Sequence, residues 1–356
     1  MRIVALLAAS LAPPPRSGTD PRPPEPGTPA AVRGVRHSPA APKPDAAVVV
    51  TARLAEGVTK PVLKLQAVAP GKYVRKSDPE YEKDWADLPM RDDGREGDEN
   101  AADGVFTARV PASYQKHRWL VRYRVTALDG SGKPVRAPAA DDPCPNFEWW
   151  CDAGPAAWSG SRQPGKAPAV AYSADFLGTL QSIHLIAKPE DVAKSQWDPA
   201  FHKQRQLGTV VYRGVAYDHV RYSNRGQGSA HISGKNKWAL KFNDGHKVPF
   251  ADHDGVPFPA PCDGIDLNPG QSTPYLPVLR GVAGLDEVLS MRAYRLAGVP
   301  STPATWVQWR VVTGAEEVAA KDQYAGDLWG VYVALGDMEP ELLADKKLPD
   351  GVTVSA

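Results

Sequence analysis

Short runs of β-branched and aromatic residues, each closed by a cluster of Gly, Pro, Asp or Asn, set the strongest limit on what this chain folds into. From Val48 the runs VVVTARL, VLKLQAV, GVFTARV and WLVRYRVTALD follow one another, separated by turn clusters such as APGK, RDDG and DGSG. No stretch among them repeats its apolar residues at helical intervals, so they read as short strands. The 36 Pro and 31 Gly among 356 residues carry the same message, since both punctuate strands and loops and are costly inside helices. Residues 45–151 are therefore expected to form an all-β, Ig-like sandwich.

The flanks differ in kind. Residues 1–12 hold Arg2 and an apolar run from Ile3, the shape of a short signal peptide and far too short to span a bilayer. Export to the periplasm, cell surface or medium is the expected localisation. Residues 13–44 are dense in Pro with few large apolar side chains, which predicts a disordered tether. A second Gly, Pro and Ser-rich stretch, 152–172, reads as a linker before a second domain over 173–356. The formal net charge of +1 supplies no field to attract nucleic acid, and no apolar run suits a membrane span. Cys144 and Cys151 flank a six-residue segment that a loop disulfide would close, and Cys262 is left over. Without a paired CxxC or HxxxH, zinc is not expected. Asp92, Asp93, Asp98 and Asp103 share one loop and offer oxygen ligands for Ca²⁺, although tight turns use the same residues.

From Phe176 the pattern is mixed. LQSIHLIA alternates, PEDVAKSQW predicts a helical turn, and GTVVYRGVAYDHVRYSNRG predicts two strands joined at Arg213-Gly214. KWALKF, TWVQWRVV and GVYVAL add strands, and GLDEVLSMRAYRLAG carries Leu285, Val288, Leu289, Met291 and Leu296 at helical spacing before Gly298. The expectation is an α+β domain with one helix inserted among antiparallel strands. A Gly-containing turn at Arg225-Gly226-Gln227-Gly228, then Lys235, Lys237 and Lys241, then Glu287 in the helix, is the order of parts that neutralises nucleotide phosphates in a kinase N-lobe. Each part has a plainer reading: a turn, a solvated strand edge, and a first-turn acid facing the helix dipole.

Three ordered segments carry a family resemblance. RYSNRGQGSAHISGKNKWALKFNDGHKV, RGVAGLDEVLSMRAYRLAGVPSTPATWVQWRVV and DLWGVYVALGDMEPELLADKKLPDG are similar to successive segments of the spore-coat H (CotH) kinase-like family, over about Gly208–Gly351. The resemblance implies a partial protein-kinase-like N-lobe following the sandwich, ATP and Mg²⁺ as cofactors, and phosphoryl transfer to Ser or Thr of a protein substrate. It assigns phosphate contacts to Arg225, Gly226 and either Lys235 or Lys241, with Glu287 as the partner of the lysine. Two departures follow. Gly336 stands where relatives have Glu, and the Asp residues of the second lobe have no counterparts, Asp337, Asp345 and Asp350 lying in the wrong segment. A catalytically incomplete chain is thus expected, with no catalytic residue assigned and no metal ligand. The alternative is a non-enzymatic exported module that binds a protein or a surface polymer. His219, His231, His246 and His253 lack the GxSxG or HExxH context of a hydrolase. Trp149, Trp150 and Trp158 are core candidates before they are a glycan-binding surface.

Overall fold

Alternation of inward apolar and outward polar residues builds both halves of the protein in the computed structural model, which describes residues 31–161, 168–198, 200, 204–225, 236–269, 284–299, 301–318 and 326–336. The apolar run of 1–12, Gly226, Lys235, His231, Asp337, Asp345 and Asp350 lie outside the described residues. The first half contains β1 (Val32–Ser38), β2 (Val48–Leu54), β3 (Thr59–Val68), β4 (Ala86–Pro89), β5 (Val105–Val110), β6 (Leu120–Leu128), β7 (Pro134–Ala137) and β8 (Phe147–Trp150). One sheet runs β1-β2-β5. The other runs β4-β3-β6-β7, with β8 also on β6. Val48, Val50, Ala52 and Leu54 face Leu63, Leu65, Val121, Tyr123 and Val125 across the sandwich, and Trp149 seals it. Each such side chain contributes about 1.5–3 kcal/mol by leaving water.

The tether expected over 13–44 is corrected in its last part. Val32–Ser38 forms an edge strand antiparallel to β2, with Val32 and Val35 buried in the core. A bulge between Arg33 and Arg36, with Gly34 at φ 59°, brings residues three apart to one face. That spacing breaks the period of two by which a strand is read from sequence. The linker expected over 152–172 also contains structure: β9 (Trp158–Gly160) pairs antiparallel with β10 (Val170–Tyr172). The loop disulfide does not form. Cys144, Cys151 and Cys262 are free and buried, because β8 runs extended between the first two. Four extended residues alone span roughly 10 Å, beyond the ~7 Å limit between bridged Cα atoms. Trp149 and Trp150 are both buried, as core residues.

The second half begins with α1 (Ala174–Gly178), whose Ser173 Oγ accepts from the Phe176 amide at 3.2 Å as its cap. Then come β11 (Ser182–Ile186), α2 (Pro189–Trp197), β12 (Gln206–Tyr212), β13 (Val215–Asn224), β14 (Trp238–Lys241), β15 (Gly264–Asn268), α3 (Leu285–Leu296), β16 (Ala304–Val312) and β17 (Leu328–Gly336). Arg213 (φ 50°) and Gly214 (φ 79°) make the tight turn between β12 and β13. The strands close into a barrel in the order β11-β12-β13-β14-β15-β17-β16. All neighbours are antiparallel except β11 and β16, whose parallel pairing shuts the ring. Trp238, Trp309, Tyr222, Tyr332, Leu185 and Leu267 fill it.

The fold is therefore mostly β, in two units. Among the described residues of 173–356 the strands close into this barrel, and the α+β kinase-like lobe expected there is not shown. Closure depends on β15, a five-residue run too short to stand out in sequence, and on a parallel pairing between segments far apart in the chain. A helix does sit among antiparallel strands as expected: α3 packs Val288 on Val333 and Leu335, outside the barrel. Its Leu285, Leu289 and Leu296 face outward. No helix among the described residues is long and apolar enough to cross a membrane.

Candidate functional site

Trp238 and Leu240 point into the barrel, so period-two alternation turns Ala239 and Lys241 outward, and Asp266 and Asn268 of β15 lie on the same outer face. Arg225, one residue beyond β13, is held there by its amide, which donates to Lys237 O at 3.1 Å. Its Nη1 lies 2.8 Å from Asp266 Oδ2 and 3.3 Å from Asn268 Oδ1. Asn268 Nδ2 in turn donates to Glu287 Oε1 of α3 at 2.6 Å. Lys241 Nζ pairs with Asp263 Oδ1 at 3.0 Å. Arg225 and Lys241 are each about one-third exposed.

The described residues singled out in sequence, Arg225, Lys241 and Glu287, thus fall along one outer face, while Gly226 and Lys235 lie outside the described residues. Arg225 and Glu287 are brought together through Asn268, and Lys241 stands on the same strand face beside Asp263. Asp263, Asp266 and Asn268 were missed. The alternation in GIDLN was the signal for Asp266 and Asn268, and its shortness hid it. The row offers two partly exposed cations to an anion, each already held by a carboxylate. Mg²⁺ accompanying a nucleotide needs one or two carboxylates besides phosphate oxygens, and Asp263 and Asp266 are engaged by Lys241 and Arg225. The residues present fit phosphate better than the metal.

The acidic loop between β4 and β5 is a turn scaffold. Asp92 accepts from the amides of Asp103 and Gly104 (3.2 and 2.9 Å), and Asp98 from the amide of Gly94 and the hydroxyl of Thr107 (2.7 and 3.2 Å). Asp93 and Asp103 each accept from the amide two residues on.

A buried polar junction joins sandwich to barrel. On β13, Asp218 and His219 together oppose Thr209 of β12, a bulge with His219 at φ 57°. The bulge aims Asp218 away from its own barrel. Its carboxylate accepts from Arg122 Nε (2.6 Å), Tyr73 OH (2.9 Å) and Thr209 Oγ1 (2.6 Å). Arg122 and Asp218 side chains are both fully buried. Burial works against the Asp218 charge, but the Arg122 guanidinium outweighs it and holds the carboxyl well below the usual range. Glu148, whose Oε1 accepts from the Asp218 amide at 3.0 Å, is pushed the other way, by burial and by the Asp218 charge.

A third feature is an apolar cleft of about 820 Å³ between the β9–β10 hairpin, α1 and β17. Trp158, Tyr172 and Phe176 stack along it with ring centroids 5.9 and 5.4 Å apart and planes within 19° and 16°.

No protein-family model matches the chain, and no curated protein matches it. Among solved structures, the uncharacterized protein lmo2446 of Listeria monocytogenes EGD-e, in complex with alpha-D-glucose, beta-D-glucose, magnesium and calcium, is similar over 60% of this chain at 10% identity and a TM-score of 0.21. The chain spans 21% of that protein's length. A likeness of that size carries no argument about fold or activity.

Proposed function

We propose that the chain is an exported CotH-type kinase-like protein whose barrel binds the phosphates of a nucleotide, without the full equipment for phosphoryl transfer. One observation carries the reading: Arg225, at the end of a strand, and Glu287, from the helix, share Asn268 as a hydrogen-bond partner. A helix acid that positions a strand cation is how kinase-like sites present positive charge to phosphate. Lys241 supplies a second cation on the same face. The sequence resemblance over Gly208–Gly351 supports the same reading, and the apolar run after Arg2 supports export. Gly336, in place of the relatives' Glu at the end of β17, argues for an incomplete catalyst.

Calorimetric titration of the full chain with Mg-ATP tests this. Weak saturable binding is expected, reduced about tenfold by Arg225→Ala or Lys241→Ala, the ~1.4 kcal/mol of one charge-assisted hydrogen bond. No labelled γ-phosphate should pass to the chain itself. Transfer that Lys235→Ala or Lys241→Ala abolishes would overturn the incomplete-catalyst reading. An absence of any binding would overturn the nucleotide reading.

The aromatic cleft favours a second reading, a non-enzymatic module binding a protein or surface polymer. Stacked rings with exposed edges, as at Phe176, present a large apolar contact at little cost in conformational freedom.

A further inference from the structure

We infer that Asp142, Cys144 and His246 form a binding site for a divalent cation of the Zn²⁺ type, clamping the sandwich to the barrel. Asp142 and Cys144 lie in the connection from β7 to β8, and His246 lies in the turn after β14, so the site takes ligands from both units. One ligand atom from each lies within 4.8 Å of the other two. His246 Nε2 and Asp142 Oδ1 are 3.5 Å apart. Two ligands of one tetrahedral Zn²⁺, each at about 2.0–2.3 Å from the metal, stand roughly 3.3–3.8 Å apart.

The donors are one nitrogen, one sulfur and one oxygen. Mg²⁺ and Ca²⁺ require about six or more oxygens, whereas a mixed set with a thiolate suits Zn²⁺ and leaves a fourth position for water. The surroundings hold the ligands in place. Asp142 Oδ1 accepts from the Cys144 amide at 2.7 Å, which fixes the i, i+2 pair in a turn. Asn243 Nδ2 points at Cys144 Sγ from 3.2 Å while also donating to His219 O at 3.0 Å. A donor aimed at the sulfur is the usual support of a ligating thiolate. Lys76 Nζ donates to Pro143 O at 2.6 Å and pins the same turn. The rival use of a Cys beside a His, a nucleophilic pair, needs an accessible thiol. Cys144 is buried, with 3% of its surface exposed.

Cobalt serves as the spectroscopic probe. The untagged, reduced full chain is titrated with Co²⁺, then with Zn²⁺. Expected are one equivalent of Co²⁺, the visible bands of a tetrahedral site, a thiolate-to-cobalt charge-transfer band, and displacement of all of them by Zn²⁺. Cys144→Ser should remove the charge-transfer band, and His246→Gln should weaken binding at least about tenfold. Cys151→Ala with Cys262→Ala leaves Cys144 as the only thiol, so the band must survive there. That variant keeps the idea open to refutation even where Cys144→Ser fails to fold. No saturable Co²⁺ binding, or a charge-transfer band that persists in Cys144→Ser, would sink the proposal.

Discussion

His37 lies on β1 with its ring 5.2 Å from Trp149, its Nδ1 2.9 Å from Tyr123 OH and its Nε2 3.3 Å from Ala40 O. Burial pushes its pKa down to about 4, against a partial offset from the Ala40 carbonyl. The folded state then binds fewer protons than the unfolded state between roughly pH 6.5 and 4, so stability is full above that window and lost as pH falls through it. Urea unfolding should show up to about 3 kcal/mol lost between pH 7 and pH 4 from this group, and His37→Gln should flatten that part of the profile. An unchanged profile in the variant would mean that the ring is solvated. Nothing in the sequence marks this residue. His37 stands between the exposed Arg36 and Ser38 in a stretch that composition assigns to a tether, and only the bulge beside Gly34 turns Val35 inward with Val32.

At the scale of elements, what was legible tracks how regular each run is. The β2, β3, β5 and β6 runs alternate or are thickly β-branched, and the sandwich was readable from them. The β12–β13 hairpin was readable from Arg213-Gly214, and α3 from its spacing. Four things were not. β1 was hidden by its bulge, β15 by its five residues, the β9–β10 hairpin by its three-residue strands in a stretch read as a linker, and closure of the barrel by a pairing that joins Ser182–Ile186 to Gln308–Val312. Local pattern carries no information about such distant partners. At the candidate site the cations and Glu287 were visible, whereas Asn268, which links Arg225 to Glu287, was not. The element most at odds with its composition yields a direct test. A chain starting at residue 45 loses β1 and with it Val32 and Val35 from the core, about 3–6 kcal/mol of buried apolar surface at the usual rate per side chain. Its thermal midpoint should fall by several degrees at least. A midpoint equal to that of the full chain would show that β1 adds nothing.

For the whole molecule, the question is what makes two β units behave as one body. Val68, Leu120 and Trp150 of the sandwich pack with Ile186, Val211 and Val312 of the barrel, flanked by the buried Arg122–Asp218 and Arg118–Asp327 pairs, each at 2.6 Å. Arg122→Met strands the Asp218 carboxylate in the interior and should cost about 3–5 kcal/mol. Pairing it with Asp218→Asn, which removes the leftover charge and keeps an acceptor for Tyr73 OH and Thr209 Oγ1, should restore part of that. A cost below about 1 kcal/mol for Arg122→Met would mean that water reaches the junction. The parallel seam between β11 and β16 also imposes an order of events on the ribosome. The last strand of the sandwich ends at Trp150, yet the ring cannot shut until Val312 and β17 have emerged, on the order of ten to thirty seconds of translation later. In the earlier part of that interval, until β13 emerges, a finished sandwich presents the Arg122 guanidinium at its open face with Gln66 Oε1 as its partner. The newborn protein is thus a cationic surface waiting for its counter-ion, and Asp218 is the residue whose arrival ends the wait.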